Sequence, residues 1–290
     1  MPWTPKTPET PRTLCYPPPP AAGRPPIMPA RDKKVVVVLP AYNAEKTLVA
    51  TLDDIPKDWV DEILLVDDAS RDRTVEVARA LGIRTVVHPE NRGYGGNQKT
   101  CYRTAMDQLG GDIMVMVHPD HQYDPTVVPH LVQPLLDGSC DAVFGSRMLG
   151  GRPIEGGMPK WKYFANLFLT MVENATFYVF LSEYHSGFRA YSRRYLESVN
   201  FEANSDNFVF DTEIIAQGVA KGMRIREVPI QTRYFPEASQ IGFWRSVRYG
   251  LEILRTMVMF KLHKKRIWSH RIFRDRPAGS AAPPPTPPTR

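Results

Sequence analysis

The chain has 290 residues, 42% hydrophobic and 23% charged, which suits a soluble globular protein of one large domain, or two. Its three cysteines, Cys15, Cys101 and Cys140, lack metal or redox spacing, which excludes a disulfide framework and points to a reducing compartment. Net charge is +6, but ten Lys/Arg between Arg245 and Arg276 face only Glu252 and Asp275, so a basic end sits on a slightly acidic body and suggests an anionic surface as partner.

Residues 1–30 hold eleven of the 28 prolines and residues 277–290 hold six more. Such segments bury too little apolar surface to offset their ordering entropy, so 1–30 and 276–290 are expected to be disordered tails. The N-terminus has no continuous apolar stretch of the signal-peptide kind. Within the folded part, Val35–Leu39 is a β-branched run that reads as a buried parallel strand. Pro40-Ala-Tyr42-Asn43 turns the chain into a short helix over Glu45–Asp53. Glu62–Val66 is the next strand and ends in Asp67 and Asp68, with Ser70 expected to cap a helix through Thr74 and Ala80. Ile83–Val87 is a third strand. Gly93 to Gly96 read as a flexible turn before a helix ending near Gly110, the glycines serving either a tight turn or direct ligand contact.

Ile113–Val117 is a fourth strand and breaks directly into His118-Pro119-Asp120-His121-Gln122, a cluster of metal-capable side chains. A helix over Val127–Leu136 and a strand over Asp141–Gly145, ending in Ser146 and Arg147, follow. Alternating strands and helices predict a parallel α/β sheet with right-handed crossovers. The polar groups at the strand ends then share one edge, where ligands bind in open sheets of this kind. Nicotinamide and P-loop fingerprints are excluded, because Pro40-Ala-Tyr-Asn43 offers no glycine for backbone contact with phosphates.

The second half is less regular. Trp161–Leu181 is strongly apolar but carries Asn166, Glu173 and Asn174, so it predicts one or two packed helices rather than a membrane span. Ser186–Tyr191 suggests a strand. Phe210–Gly222 predicts a helix with Asp211 and Glu213 near its start, and Arg226–Arg233 predicts a strand that Pro229 confines to the sheet edge. In Gly242–Leu262, apolar residues recur at helical spacing with arginines on other faces. That pattern suits an interfacial membrane anchor or a helix packed on its own domain.

Together these motifs carry a resemblance. Pro40-Ala-Tyr-Asn43, Val66-Asp-Asp-Ala-Ser-Arg-Asp72, Asn91-x-Gly93, Gly145-Ser-Arg147, Ser186-Gly-Phe-Arg189 and Glu227-Val-Pro-Ile230 occur in an order that resembles family-2 glycosyltransferases, in the branch of dolichyl/polyprenyl-phosphate sugar synthases. The resemblance implies a GT-A fold over 31–240, a nucleotide-diphospho-sugar donor (GDP- or UDP-sugar), and inverting transfer to a polyprenyl phosphate. Residues 241–275 form the amphipathic basic helix. The family's Asp-x-Asp-x-Gln metal motif falls on His118, Asp120 and Gln122, with His118 in place of the first acid, and implies Mn²⁺ or Mg²⁺. Imidazole suits Mn²⁺ better than Mg²⁺, which prefers oxygen; alternatively His118 only hydrogen-bonds the turn. By the same resemblance Pro40, Tyr42, Asn43, Glu45, Asp67, Asp68, Lys99, Pro119 and Lys162 bind the donor, while Asp120, Arg147 and Arg233 serve catalysis.

If the acceptor is a lipid phosphate it is already an anion. If it is a hydroxyl, Asp211 or Glu213 must take its proton. Attachment at the cytoplasmic membrane face would be peripheral, through Trp161–Leu181 or Trp244–Leu262. A basic nucleic-acid-binding protein is the remaining alternative, and no recognition motif supports it.

Overall fold

The computed structural model describes residues 31–150, 153–232 and 243–275, so both proline-rich tails lie outside the described residues. Seven strands form one sheet: β1 (Val35–Ala41), β2 (Glu62–Asp67), β3 (Arg84–Val87), β4 (Ile113–Met116), β5 (Ala142–Ser146), β6 (Arg189–Ser192) and β7 (Ile225–Pro229). Their order across the sheet is β3-β2-β1-β4-β6-β5-β7. All pairings are parallel except those of β6, which runs antiparallel to both β4 and β5. Pro40 lies inside β1 rather than after it. The β1–β4 register ends at Val38, so the residue that cannot donate falls beyond that ladder. Pro229 ends β7 at the sheet edge, as its sequence position requires.

The helices are α1 (Leu48–Asp53), α2 (Thr74–Ala80), α3 (Gly93–Asp107), α4 (Val128–Leu136), α5 (Lys160–Phe177), α6 (Arg193–Ser198), α7 (Phe210–Ala220) and α8 (Phe243–Lys264). Period-two alternation along the strands divides their side chains between two cores. Val36, Val38, Met114, Met116 and Phe144 pack with α3, α5, α7 and α8. Val35, Val37, Leu39, Val115 and Val143 pack with α1, α2 and α4 on the other face.

Local departures from the sequence reading have physical causes. Ser70 does not cap α2, because its hydroxyl accepts the Asn43 N–H at 2.8 Å; Asp72 instead accepts the Thr74 N–H at 3.0 Å. Gly93–Gly96 belong to the first turn of α3 rather than a flexible loop. They are small because the helix start meets another backbone: a Cβ on Gly95 would stand 2.3 Å from the Ser205 carbonyl oxygen. Trp161–Leu181 resolves into one helix, α5, stopped at Tyr178 in the left-handed region. Among the described residues no helix is long and apolar enough to cross a membrane. The last helix, α8, packs on its own domain along one face and leaves another uncovered among the described residues. Ile253, Met257 and Phe260 are buried, whereas Trp244, Val247, Leu251 and Val258 are exposed.

Candidate active site

The carboxyl ends of the six parallel strands and the amino end of β6 lie along one edge. Because β6 runs the other way, the loop before it, Ser182–Phe188, arrives at the same edge as the carboxyl ends of β4 and β5, and Arg189 pairs in register with Met116 and Phe144.

At the end of β2 the acidic pair divides its work. Asp68 is saturated by protein donors: Oδ1 meets His88 Nδ1 at 2.8 Å and the Arg92 N–H at 2.8 Å, and Oδ2 accepts the Gly93 N–H at 3.0 Å. The His88 ring is fixed in turn by Thr100 Oγ1 at 2.9 Å. Asp68 therefore shapes the 91–93 turn and has no oxygen to spare for a ligand. Asp67 accepts the Ser70 N–H on Oδ2, but its Oδ1 is buried without a partner among the described residues. A buried, unmatched carboxylate oxygen is costly unless a ligand donor meets it. The expectation that both acids face the donor narrows to Asp67.

The β1 turn is also part framework. Asn43, at φ 52°, accepts the Arg71 N–H, and Glu45 accepts the Arg73 N–H at 2.7 Å, so both latch the β1 and β2 turns together rather than reaching outward. Tyr42 is half exposed beside them. Lys99 is corrected as well: its ammonium binds the Asn204 carbonyl and Asp206, tying α3 to the loop before α7.

At the end of β4, Asp120 Oδ1 accepts the Gln122 N–H at 3.1 Å, which leaves Oδ2 without a partner among the described residues. Pro119 is buried and its carbonyl accepts Thr47 Oγ1 at 2.6 Å, which holds the motif against α1. His121, at φ 56°, pairs with Asp54, and Asp124 caps the turn before α4, so neither belongs to a ligand set. The His118 ring stacks on Tyr94 at 5.6 Å and 15°. Its Nε2 lies close to Gly187, where a Cβ would stand 2.5 Å away, so this approach requires glycine. Burial pushes its pKa below the usual range against the opposing charges of Asp120 and Asp211, which favours neutral imidazole. Among the described residues no three His, Cys, Asp or Glu side chains converge on one point. The donor set fits a divalent ion only as a partial shell, one carboxylate oxygen with an imidazole and an amide beside it. A donor diphosphate supplies the kind of oxygens that would complete such a shell.

The two acids of α7 part company. Asp211 lies in the site: Oδ2 accepts the Tyr94 hydroxyl at 2.8 Å, Oδ1 accepts Gln98 Nε2 at 3.2 Å, and the buried Arg189 stands at 3.5 Å. Glu213, two residues on and roughly 200° around the helix, accepts the Ser205 N–H at 2.6 Å and points away. Burial raises its pKa, which the Ser205 N–H and Lys99 partly oppose.

On the far side of β6, Arg147 follows β5 and is clamped on Glu183, and its guanidinium also donates to the His185 carbonyl at 3.3 Å. Lys162, in the first turn of α5, is half-buried beside it, and its ammonium has no hydrogen-bond or ion-pair partner among the described residues. Burial, and then the Arg147 charge, push its pKa down. Arg233 lies outside the described residues; Thr232 before it bridges to Tyr123 of the β4 motif. Two positions that the structure brings to this edge, Tyr94 and Glu183, carried no local sequence signal, whereas Arg189 closes the Ser186-Gly-Phe-Arg189 motif.

The comparisons agree with this geometry. The family model "Glycosyl transferase family 2" matches residues 36–199, more than half of the chain. An uncharacterized protein of Methanocaldococcus jannaschii is 31% identical over 229 residues, covering 79% of this chain and 93% of its own. The UDP-N-acetylglucosamine–dolichyl-phosphate N-acetylglucosaminyltransferase of Methanococcus voltae is 26% identical over 250 residues, 80% of this chain and 98% of its own. Among solved structures, glucosyl-3-phosphoglycerate synthase from Mycobacterium tuberculosis, crystallised with Mn²⁺, UDP and glucosyl-3-phosphoglycerate, aligns with a TM-score of 0.56 at 25% identity, covering 79% of this chain and 80% of that one. A β2-end acid with a free oxygen, an acid-bearing motif after β4 and a cation pair after β5 thus sit on the sheet of a chain that belongs to glycosyl transferase family 2 and has the GT-A fold of a nucleotide-sugar glycosyltransferase.

Proposed function

We propose that the chain transfers a sugar from a nucleotide-diphospho-sugar to a polyprenyl phosphate, with inversion, while resting peripherally on a membrane. The observation that carries this is the position of Lys162, a half-buried cation beside Arg147, without a partner among the described residues, in the first turn of a helix whose outward face is apolar. An anion with an apolar tail matches that combination. The Methanococcus voltae relative, whose name specifies a dolichyl-phosphate acceptor, supports the same class.

The sheet order supports a separation of the two substrates. The ends of β2, β1 and β4 carry Asp67, Tyr42 and Asp120 for the donor, and the end of β5, beyond β6, carries Arg147 for the acceptor. A divalent metal held by Asp120, with Gln122 and His118 beside it, would supply charge neutralisation to the leaving diphosphate when bound. An acceptor phosphate oxygen held by Arg147 and Lys162 attacks the anomeric carbon as the bond to the diphosphate breaks, and the configuration inverts. The Tyr94 and Gln98 hydrogen bonds and the Arg189 ion pair engage Asp211, and Glu213 is buried against the Ser205 N–H, so neither acid is placed to serve as base for an acceptor hydroxyl. A phosphate monoester needs no such base, whereas a hydroxyl does.

The outward faces of α5 and α8 carry Trp161, Phe164, Phe168, Trp244 and Leu251, with Phe164 64% and Trp244 80% exposed. Arg245, Arg248, Lys261 and Lys264 accompany them on α8. Amphipathic helices with aromatics and cations bind the headgroup region of anionic bilayers. The test incubates the protein with labelled UDP- and GDP-sugars, Mn²⁺ or Mg²⁺, and polyprenyl phosphate, then extracts into organic solvent. Label in the organic phase supports the reading. Donor binding with label only in water-soluble product overturns it in favour of a hydroxyl acceptor.

A further inference from the structure

Glu183 has no exposed side-chain surface, although it lies on the loop between α5 and β6. Its two oxygens are arranged around one residue. Oε2 accepts the Arg147 backbone N–H at 2.7 Å, and Oε1 accepts Arg147 Nε at 2.8 Å together with the neighbouring guanidinium nitrogen. Asn166 on α5 adds a bond to Oε1 at 2.9 Å. Burial alone would raise the Glu183 pKa, but Arg147 and Asn166 hold it below the usual range, so the carboxylate is ionised.

A second acid fixes the first. Glu227 on β7 accepts the Ser182 N–H at 2.7 Å, the Ser182 hydroxyl at 2.8 Å and the Glu183 N–H at 3.0 Å. The Ser182 hydroxyl also meets Ser146 Oγ at 2.7 Å, one residue before Arg147. Two neighbouring strands, β5 and β7, thus grip the Ser182–Glu183 backbone, and that backbone aims a carboxylate at the guanidinium. Buried ion pairs contribute little net stability over apolar packing, so their retention points to geometry. Lys162 stands beside this pair, close enough for the Arg147 charge to lower its pKa.

We propose that Glu183 is the positioning residue of the phosphate site: it holds the Arg147 guanidinium in the orientation that meets the acceptor phosphate beside Lys162, and Glu227 holds Glu183. This rests on the reading that Arg147 and Lys162 take the acceptor. A long, exposed arginine samples many rotamers; one held in a carboxylate fork has lost that freedom before the ligand arrives.

A double-mutant cycle tests it. KM for farnesyl phosphate, a short polyprenyl phosphate, KM for the donor, kcat and Tm are measured for Glu183→Gln, Arg147→Ala and the double variant. Glu183→Gln is expected to raise KM for farnesyl phosphate on the order of ten- to a hundredfold, leave donor KM unchanged, and add nothing in the Arg147→Ala background. Glu183→Asp should recover part of the loss, and Glu227→Gln should give a smaller rise of the same sign. Additive effects, an equal rise in donor KM, or a KM change that only tracks Tm across these variants overturn the proposal. If the wild-type protein makes no polyprenyl product, the acceptor reading alone is overturned. The cycle is then read on the affinity for inorganic phosphate by calorimetry, where additivity overturns the positioning role and non-additivity supports it.

Discussion

The Tyr94 hydroxyl donates to Asp211 Oδ2 at 2.8 Å while its ring stacks on His118 at 5.6 Å. One side chain from the first turn of α3 thus joins the end of β4 to the start of α7. The close approach of α3 to the 205–206 backbone, which its glycines permit, brings Tyr94 to that place. The altered Asp-x-Asp motif is therefore built into the floor of the site, with its first position packed among aromatic rings and its second, Asp120, facing outward with a free oxygen.

The division of labour between Asp67 and Asp68 makes opposite expectations for two adjacent carboxylates. Asp67→Asn should weaken UDP or GDP binding about tenfold or more with little change in folding, because Oδ1 has no partner among the described residues to lose. Asp68→Ala should cost about 2–4 kcal/mol of stability by stranding the Arg92 and Gly93 N–H groups and the His88 ring. Calorimetric titration and urea unfolding of the two variants separate these effects.

His118→Ala should reduce Mn²⁺-supported activity more than Asp124→Ala does. Asp124 only caps the turn before α4 and should cost about 1 kcal/mol of stability. His118→Asp, which restores an all-oxygen pair with Asp120, should shift the preference toward Mg²⁺. Activity titrated with each metal checks both; equal effects of the two alanine variants would remove His118 from the metal shell.

Lys162 sets an alkaline limit. Its pKa is lowered by burial and by Arg147, so the ammonium is present below that value and lost as pH rises through it. KM for polyprenyl phosphate should rise along that limb. Lys162→Arg, which stays charged, should move the limb upward or abolish it, and Lys162→Met should weaken acceptor binding across the range. KM measured over roughly pH 7 to 10 decides this.

The α5–α8 face should be required on membranes and dispensable in detergent. Phe164→Glu and Trp244→Glu are expected to abolish co-flotation with vesicles containing anionic lipid, and raised salt should weaken binding of the unmodified protein. Unchanged flotation of both variants would exclude this face. Each variant should retain its Tm, since both side chains are already largely exposed.

Much of this architecture could be read from local pattern. The Val35–Leu39 and Ile113–Val117 runs, the acids after β2, the broken strand end after β4 and Pro229 at an edge all follow from period, breakers and side-chain chemistry within a few residues. The ordered motifs placed the chain in its family and gathered its polar groups on one edge. Direction and partnership were different. That β6 runs antiparallel, bringing Ser182–Phe188 to the catalytic edge, depends on which strands it joins and not on Ser186–Tyr191 itself. Asp67 and Asp68 look alike in sequence, and only the fold of the 91–93 turn gives Asp68 its donors. Asp211 and Glu213 share a helix start, but the helical turn sends them to opposite sides. Glu183 lies 36 residues from Arg147, and no period spans that distance. Secondary structure and chemical inventory are local properties, so the sequence by itself determined them; which carboxylate is free, which cation is held and which helices share an apolar face are contacts between distant segments, and packing decided those.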